Sequence, residues 1–168
     1  MTAKLPLEDR AEIQDLYARY SWALDTGDPD MLAATFTPDA RLVEEVFEDP
    51  DIWEGREGVR AMSRHYMASP NFPGRQHHAT MPLYEPLGPD RCNAKSFVFV
   101  TEVHGEPPMV LRFSGYYQDE LVRLDGEWLF QSRIIRLWDG EILRNFPGKG
   151  EWVPRKRPPD LVVKTHPF

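Results

Sequence analysis

The sequence predicts an α+β domain in which one curved antiparallel sheet wraps around a packed layer of N-terminal helices. Three observations carry that reading. Apolar residues recur at helical spacing through the first third of the 168 residues. The period then changes to two, in long runs at about 76–85, 91–104, 109–122 and 126–138. Only short turn signals separate those runs, which leaves no room for the crossover helices that parallel pairing needs.

In chain order, Ile13, Leu16, Tyr17, Tyr20 and Leu24 lie at helical spacing and define an amphipathic helix from about residue 8 to 25. Thr26-Gly27 ends it. Asp28 then reads as an N-cap with Pro29 in the first helical position, opening a short helix that carries Leu32, Ala33 and Phe36. Thr37-Pro38-Asp39 reads as a turn into a strand from Arg41 to Phe47, and a third helix follows Gly55 with Val59, Met62 and Tyr66 on its inner face. Gly88-Pro89-Asp90, Gly105-Glu106-Pro107-Pro108 and Asp125-Gly126 punctuate the alternating runs. From Phe146 the pattern stops, and Pro154, Pro158, Pro159 and Pro167 argue against a regular element. The expected division is therefore a domain over residues 1–145 and an extended, Pro-rich arm over 146–168.

Composition narrows the function classes. Apolar residues make up 41% and charged residues 28%, an ordinary globular balance. No apolar run is long enough to span a bilayer, and Met1 to Gln14 lacks the apolar stretch of a secretory signal, so a cytoplasmic protein is expected. Cys92 is the single cysteine, which excludes an internal disulfide and a thiolate zinc site. The net charge of −7 disfavours nucleic acid. The one basic cluster, Arg155-Lys156-Arg157, is flanked by prolines in a tail with five cations and two anions and reads as a solvated or subunit-contacting arm.

Phosphate-binding glycine motifs, a nucleophile elbow and a zinc-binding His-Glu-x-x-His helix are all missing from the sequence. Any chemistry must come from a few polar side chains in a concave pocket. Alternation sorts Gln76-His77-His78-Ala79-Thr80-Met81-Pro82-Leu83 into an inward set of His77, Ala79, Met81 and Leu83, with His78 outward. An inward imidazole is either a satisfied core residue or an acid/base held by a carboxylate. Asp25 closes an otherwise apolar stretch at a helix C-terminus, where the macrodipole disfavours it. Tyr20 lies about 140° from Asp25 around that helix, so both reach one pocket only if the sheet wraps around it. Arg136 shares its expected face with Trp128, Phe130, Ile134 and Trp138, and reads either as an ion pair with Asp25 or Glu102 or as an anchor for an acidic or carbonyl-bearing ligand. His65, His104 and His166 read as surface residues.

The segment Ala23-Leu24-Asp25-Thr26-Gly27-Asp28, the later Phe36-Thr37-Pro38-Asp39-Ala40, and a histidine opening the next long strand resemble the SnoaL-like family. The resemblance covers about residues 7–145. It implies the cone-shaped α+β barrel shared by nuclear transport factor two, scytalone dehydratase and the polyketide cyclases of the SnoaL type. Tyr20-Ser21-Trp22-Ala23-Leu24-Asp25 and Gln76-His77 resemble the active-site segments of scytalone dehydratase and, more closely, of a bacterial bile-acid dehydratase. Carried over by position, an Asp–His pair and a tyrosine become Asp25, His77 and Tyr20, and Ile135-Arg136-Leu137 matches an arginine-bearing last strand. This chain departs from scytalone dehydratase in having Leu24 before the aspartate and Glu102 near the place of a second pocket histidine, and from many SnoaL-like chains in having Met81 where they carry asparagine.

The resemblance implies a cofactor-independent, metal-free dehydratase or isomerase acting beside a carbonyl of a hydrophobic polycyclic substrate: a steroid, polyketide or terpenoid. Asp25, His77 and Tyr20 would be catalytic, and Arg136, Trp22, Glu102 and Trp138 would bind the substrate. The chain is expected to be a homodimer or homotrimer with no nucleic-acid or membrane partner. Two alternatives stand beside it: a cyclase or ketosteroid-type isomerase with Asp25 as sole base, and a non-catalytic binding or structural subunit, as in ring-hydroxylating dioxygenases.

Overall fold

A computed structural model describes residues 4–70, 72–103, 110–151 and 156. Helix α1 (Leu7–Thr26) buries Ile13, Leu16, Tyr17, Tyr20, Ala23 and Leu24, the set that the helical spacing predicts, with Ala23 added. It stops at Gly27, whose φ of +73° is a left-handed cap that glycine adopts without strain. Helix α2 (Pro29–Ala34) starts as expected, with the Asp28 carboxylate accepting the Met31 N–H at 2.9 Å, but it ends before Phe36, which opens the first strand instead of riding on the helix. Helix α3 (Gly55–Met67) buries Val59 and Met62, and Tyr66 packs partly buried against the core.

The six strands are β1 (Phe36–Glu45), β2 (Asp51–Glu54), β3 (Arg75–Gly88), β4 (Arg91–Glu102), β5 (Val110–Leu124) and β6 (Glu127–Leu137), hydrogen-bonded in the order β2-β1-β6-β5-β4-β3. The meander of β3 to β6 is antiparallel, as the short connections require. Three expectations need correction. Strand β1 begins at Phe36, not Arg41: Thr37-Pro38-Asp39 is an irregularity inside the strand rather than a turn before it. Strand β2 was not anticipated, being only four residues long. Finally, β1 pairs parallel with β6, so the sheet is mixed, and because β2 and β3 are free edges the curved sheet is an open cone and not a closed barrel.

Three one-residue bulges decide which side chains enter the concave face. One lies at Met81-Pro82, between the Thr80–Phe97 and Leu83–Lys95 pairs, with Met81 at φ +50°. A second inserts Arg112 between Leu111 and Phe113, and a third inserts Gln131 between Phe130 and Ser132. Since the side-chain period is two, each bulge exchanges inside for outside beyond it. Met81 and Leu83, expected inward, are each 72% exposed for this reason, while Ala79 and Tyr84 pack on the core.

The Asp125-Gly126 turn has both residues at positive φ, +53° and +87°, as a tight β5–β6 hairpin demands. Among the described residues no helix is long and apolar enough to cross a membrane. Most of the expected arm, together with His104 and His166, lies outside the described residues.

Candidate active site

The concave face of the sheet, the α1 helix and α3 enclose a cavity of about 470 Å³. Its walls carry Leu24, Met62, Phe72, Val98, Val100, Phe113, Ile135 and Leu137, and its polar groups are few enough to name individually. A mostly apolar hollow with a few convergent polar groups is what a small-molecule site requires.

His77 and Asp25 meet at this cavity. The Asp25 Oδ1 lies 2.5 Å from His77 Nδ1, and Asp25 Oδ2 accepts the backbone N–H of the same histidine at 2.7 Å. One carboxylate thus grips one residue twice. The backbone contact fixes the carboxylate, and the carboxylate fixes the ring with its proton on Nδ1, which leaves Nε2 as the basic nitrogen. Both side chains are largely shielded, at 13% and 15% exposure. Asp25 itself stands behind the imidazole, which resolves the angular problem around α1: the wrapped sheet carries His77 to it. His78 points the other way, stacked on Phe99 with ring centroids 4.6 Å apart and its Nε2 3.1 Å from the Thr101 hydroxyl.

Tyr20 lines the same cavity and is fully buried. Its ring packs edge-on against Phe36, Tyr117 and Phe130, yet its hydroxyl has no hydrogen-bond partner among the described residues. Burial pushes the phenol up to about 12, with the neighbouring Arg133 pulling the other way, so the hydroxyl stays a donor at neutral pH. A buried hydroxyl left unsatisfied costs about 1–3 kcal/mol, which a ligand oxygen would recover.

Beneath Tyr20 lies a group that sequence reading missed. Arg133 is wholly buried, and its Nε and Nη2 bind Asp119 at 2.8 and 2.9 Å. The guanidinium also sits 4.1 Å from the Tyr20 and Tyr117 ring centres and 3.9 Å from Phe130. Tyr17 donates its hydroxyl to the same Asp119. Burial opposes the charge on Arg133, but Asp119 outweighs it and the pKa is raised. The Gln131 bulge explains the miss: Phe130 and Arg133 both face the core, which a regular strand forbids at that spacing.

The same bulge turns Arg136 outward. It pairs with Glu45 at 2.6 Å and Gln118 at 2.9 Å beside a separate depression, and neither Asp25 nor Glu102 reaches it. Trp138 is on that outer face too, 40% exposed against Phe97 and Tyr116. Trp22 is 67% exposed and lines a groove between α1 and β3. None of these three lines the cavity. Glu102, only 3% exposed, stands behind its wall and holds Arg75 and Arg112, which do line it.

Further lining groups carried little signal in the sequence. Glu44 accepts from the Tyr66 hydroxyl at 2.5 Å and from Trp53 Nε1 at 2.9 Å. Burial, and then the Glu44 charge, raise the Tyr66 phenol well above its ordinary value. Tyr66 stacks on Phe72, which lies in turn 6.0 Å from the His77 ring. His65, expected at the surface, also lines the cavity and is half-buried next to Trp53. Among the described residues no group of three or more His, Cys, Asp or Glu is arranged to hold a metal ion.

A family model described as a SnoaL-like domain matches residues 6–134. Among solved structures, a protein of unknown function from Mycobacterium tuberculosis is 26% identical with a TM-score of 0.69, over 85% of this chain and 82% of that one. A candidate aromatic ring hydroxylase from Novosphingobium aromaticivorans is 26% identical at a TM-score of 0.67, covering 80% and 92%. A candidate scytalone dehydratase from the same species covers 94% and 97% at a TM-score of 0.67, but at 22% identity that likeness speaks to the fold alone. No protein of curated function matches the sequence.

Proposed function

This chain belongs to the SnoaL-like domain family, and from that premise we propose that it is a cofactor-independent dehydratase or isomerase working beside a carbonyl of a hydrophobic, polycyclic substrate. The observation that carries the reading is the double contact of Asp25 with His77 at the edge of an apolar cavity. His77 Nε2 removes a proton from the carbon next to the carbonyl, and Asp25 stabilises the imidazolium that forms. Tyr20 donates its unpartnered hydroxyl to the developing enolate oxygen. The imidazolium then returns the proton to a β-hydroxyl, the C–O bond breaks, and water leaves with an enone as product. One imidazole serves as base and acid because both groups depart from one face. Where no leaving group is present, returning the proton to a different carbon gives isomerisation.

The reading with Asp25 as sole base is less favoured, because both of its oxygens are taken up by His77. Self-association is part of the proposal. Phe97, Phe99 and Trp138 expose apolar surface on the outer face of the sheet, and a second copy is the occupant that would cover it. The test of the reaction is a panel of polycyclic β-hydroxyketones offered to wild type and His77→Ala. Turnover by the wild type alone supports the proposal; equal turnover by both proteins overturns it.

A further inference from the structure

We propose that the cavity is built for a ligand bearing an oxyanion, a carboxylate or a phosphate, and that Arg75 and Arg112 receive it. This rests on the same cavity being a substrate site and adds the charge of its guest. The two arginines converge from different strands. Arg75 opens β3 directly opposite Glu102 of β4, and Arg112 stands near the start of β5. Both line the cavity.

The placement of Arg112 is irregular. Phe113 and Arg112 are sequence neighbours and a regular strand would send them to opposite faces. They line one cavity because Arg112 is the extra residue of the β5 bulge. A bulge interrupts the ladder and commonly re-aims a side chain beside a site.

Among the described residues the charges do not balance at this wall. Two guanidiniums share one carboxylate, that of Glu102. Arg112 binds it through Nε and Nη2 at 2.6 and 3.1 Å, which leaves Nη1 over. Arg75 approaches it only at 3.6 Å, and its buried Nε makes no hydrogen bond. The Arg75 guanidinium lies 5.1 Å from the Phe72 ring centre, an arrangement that holds the plane of its donors steady. A planar oxyanion is the partner that such spare donors fit.

The acidic lining groups sit elsewhere. Glu44 pairs across the sheet with Ile135, and Ile135 with Tyr117, five residues along β5 from Arg112. At roughly 3.4 Å per residue the two levels stand about 17 Å apart along the strand. Asp51 and His65 belong to that same β1–β2–α3 side. A guest is therefore expected to lie with its anionic end at Arg75 and Arg112 and its apolar body towards His77 and Tyr20.

The experiment is direct binding, by titration calorimetry, of 2-naphthoate, 2-naphthyl phosphate and the uncharged methyl 2-naphthoate. The wild type should bind at least one anion about tenfold more tightly than the ester, and the preference should shrink as salt is raised. Arg112→Gln, on a half-exposed side chain, should abolish most of that preference, while Arg60→Gln on the outer surface of α3 should leave it unchanged. Glu102→Gln should raise anion affinity by freeing both guanidiniums, a direction that general loosening of the fold does not produce. Preference for the carboxylate or for the phosphate assigns the oxyanion. Equal binding of anions and ester, no binding of any probe at millimolar concentration, or a weaker anion in Glu102→Gln overturns the inference. Because binding is measured without turnover and should keep its anion preference in His77→Ala, its failure is distinct from failure of the proposed reaction.

Discussion

Asp25→Asn tests the site at its hinge, and the structure dictates how. The backbone N–H of His77 can only donate, and it sits 2.7 Å from one carboxylate oxygen. In the variant the amide oxygen must stay there, because turning the NH₂ towards that N–H would oppose two donors. The NH₂ then faces His77 Nδ1, where the second oxygen now lies at 2.5 Å. An NH₂ can only donate, so Nδ1 must accept and the ring proton moves to Nε2. The base is thereby capped with no change of shape. In a Ser–His–Asp triad the same exchange lowers turnover about 10⁴-fold, and a loss of about 10³–10⁴-fold is expected here. The change also exchanges charge-assisted hydrogen bonds for neutral ones, at a cost of about 1–2 kcal/mol, or several degrees in Tm. Imidazole ¹⁵N shifts report the tautomer without any substrate: the wild type should show Nδ1–H and Asp25→Asn should show Nε2–H. An unchanged tautomer, or turnover within tenfold of the wild type, refutes the reasoning.

Other outcomes follow from the buried groups. Tyr20→Phe removes a hydroxyl that has no hydrogen-bond partner among the described residues, so thermal melts should show unchanged or slightly higher stability while turnover falls about 10²-fold or more. Asp119→Asn strands the guanidinium of Arg133 in the core and should cost about 3–5 kcal/mol in urea titrations. Removing both charges with Asp119→Leu and Arg133→Met should cost far less than the sum of the single changes. Tyr17, Tyr20, Tyr66 and Tyr117 all have phenols raised by burial above the ordinary value of 10.0, so the unfolded chain loses these protons first. Stability should hold below pH 10 and fall as pH rises towards about 12 and beyond, with tyrosinate absorbance appearing together with unfolding. Trp138→Glu should shift the sedimentation of the chain towards the monomer, and an unchanged profile would remove the outer sheet face as its contact surface.

The helices were legible because periodicity and capping agreed: Asp28-Pro29 and Gly27 mark real ends of α2 and α1. So was the inward turn of His77, which precedes any bulge in β3 and so obeys simple alternation. The strand errors in the site share one cause. Alternation counted past Met81, Arg112 and Gln131 assigns the wrong face to everything beyond; Pro82 is a local signal of the first extra position, but nothing in the residues around Arg112 or Gln131 announces the other two. Regular alternation therefore points Arg136 inward where the structure has Arg133, and makes wall residues of the exposed Met81 and Leu83. Trp22 was misplaced for a simpler reason: a large apolar side chain near a helix end need not be buried. The parallel neighbour of β1 could not be read, because pairing across the whole chain leaves no trace in local pattern.

That last pairing has a consequence for how the protein is made. Strand β6 is the last strand among the described residues, yet it stands in the middle of the sheet between β1 and β5. Phe36 finds its partner only when Phe130 has been synthesised. At roughly 5–20 residues per second the nascent N-terminal half waits several seconds with the apolar flank of β1 uncovered. Contacts of such long sequence separation also slow the search once the chain is free. Biogenesis, more than the finished stability, is therefore where this architecture is exposed to aggregation, and a C-terminal truncation reaching into β6 would remove the keystone of the sheet.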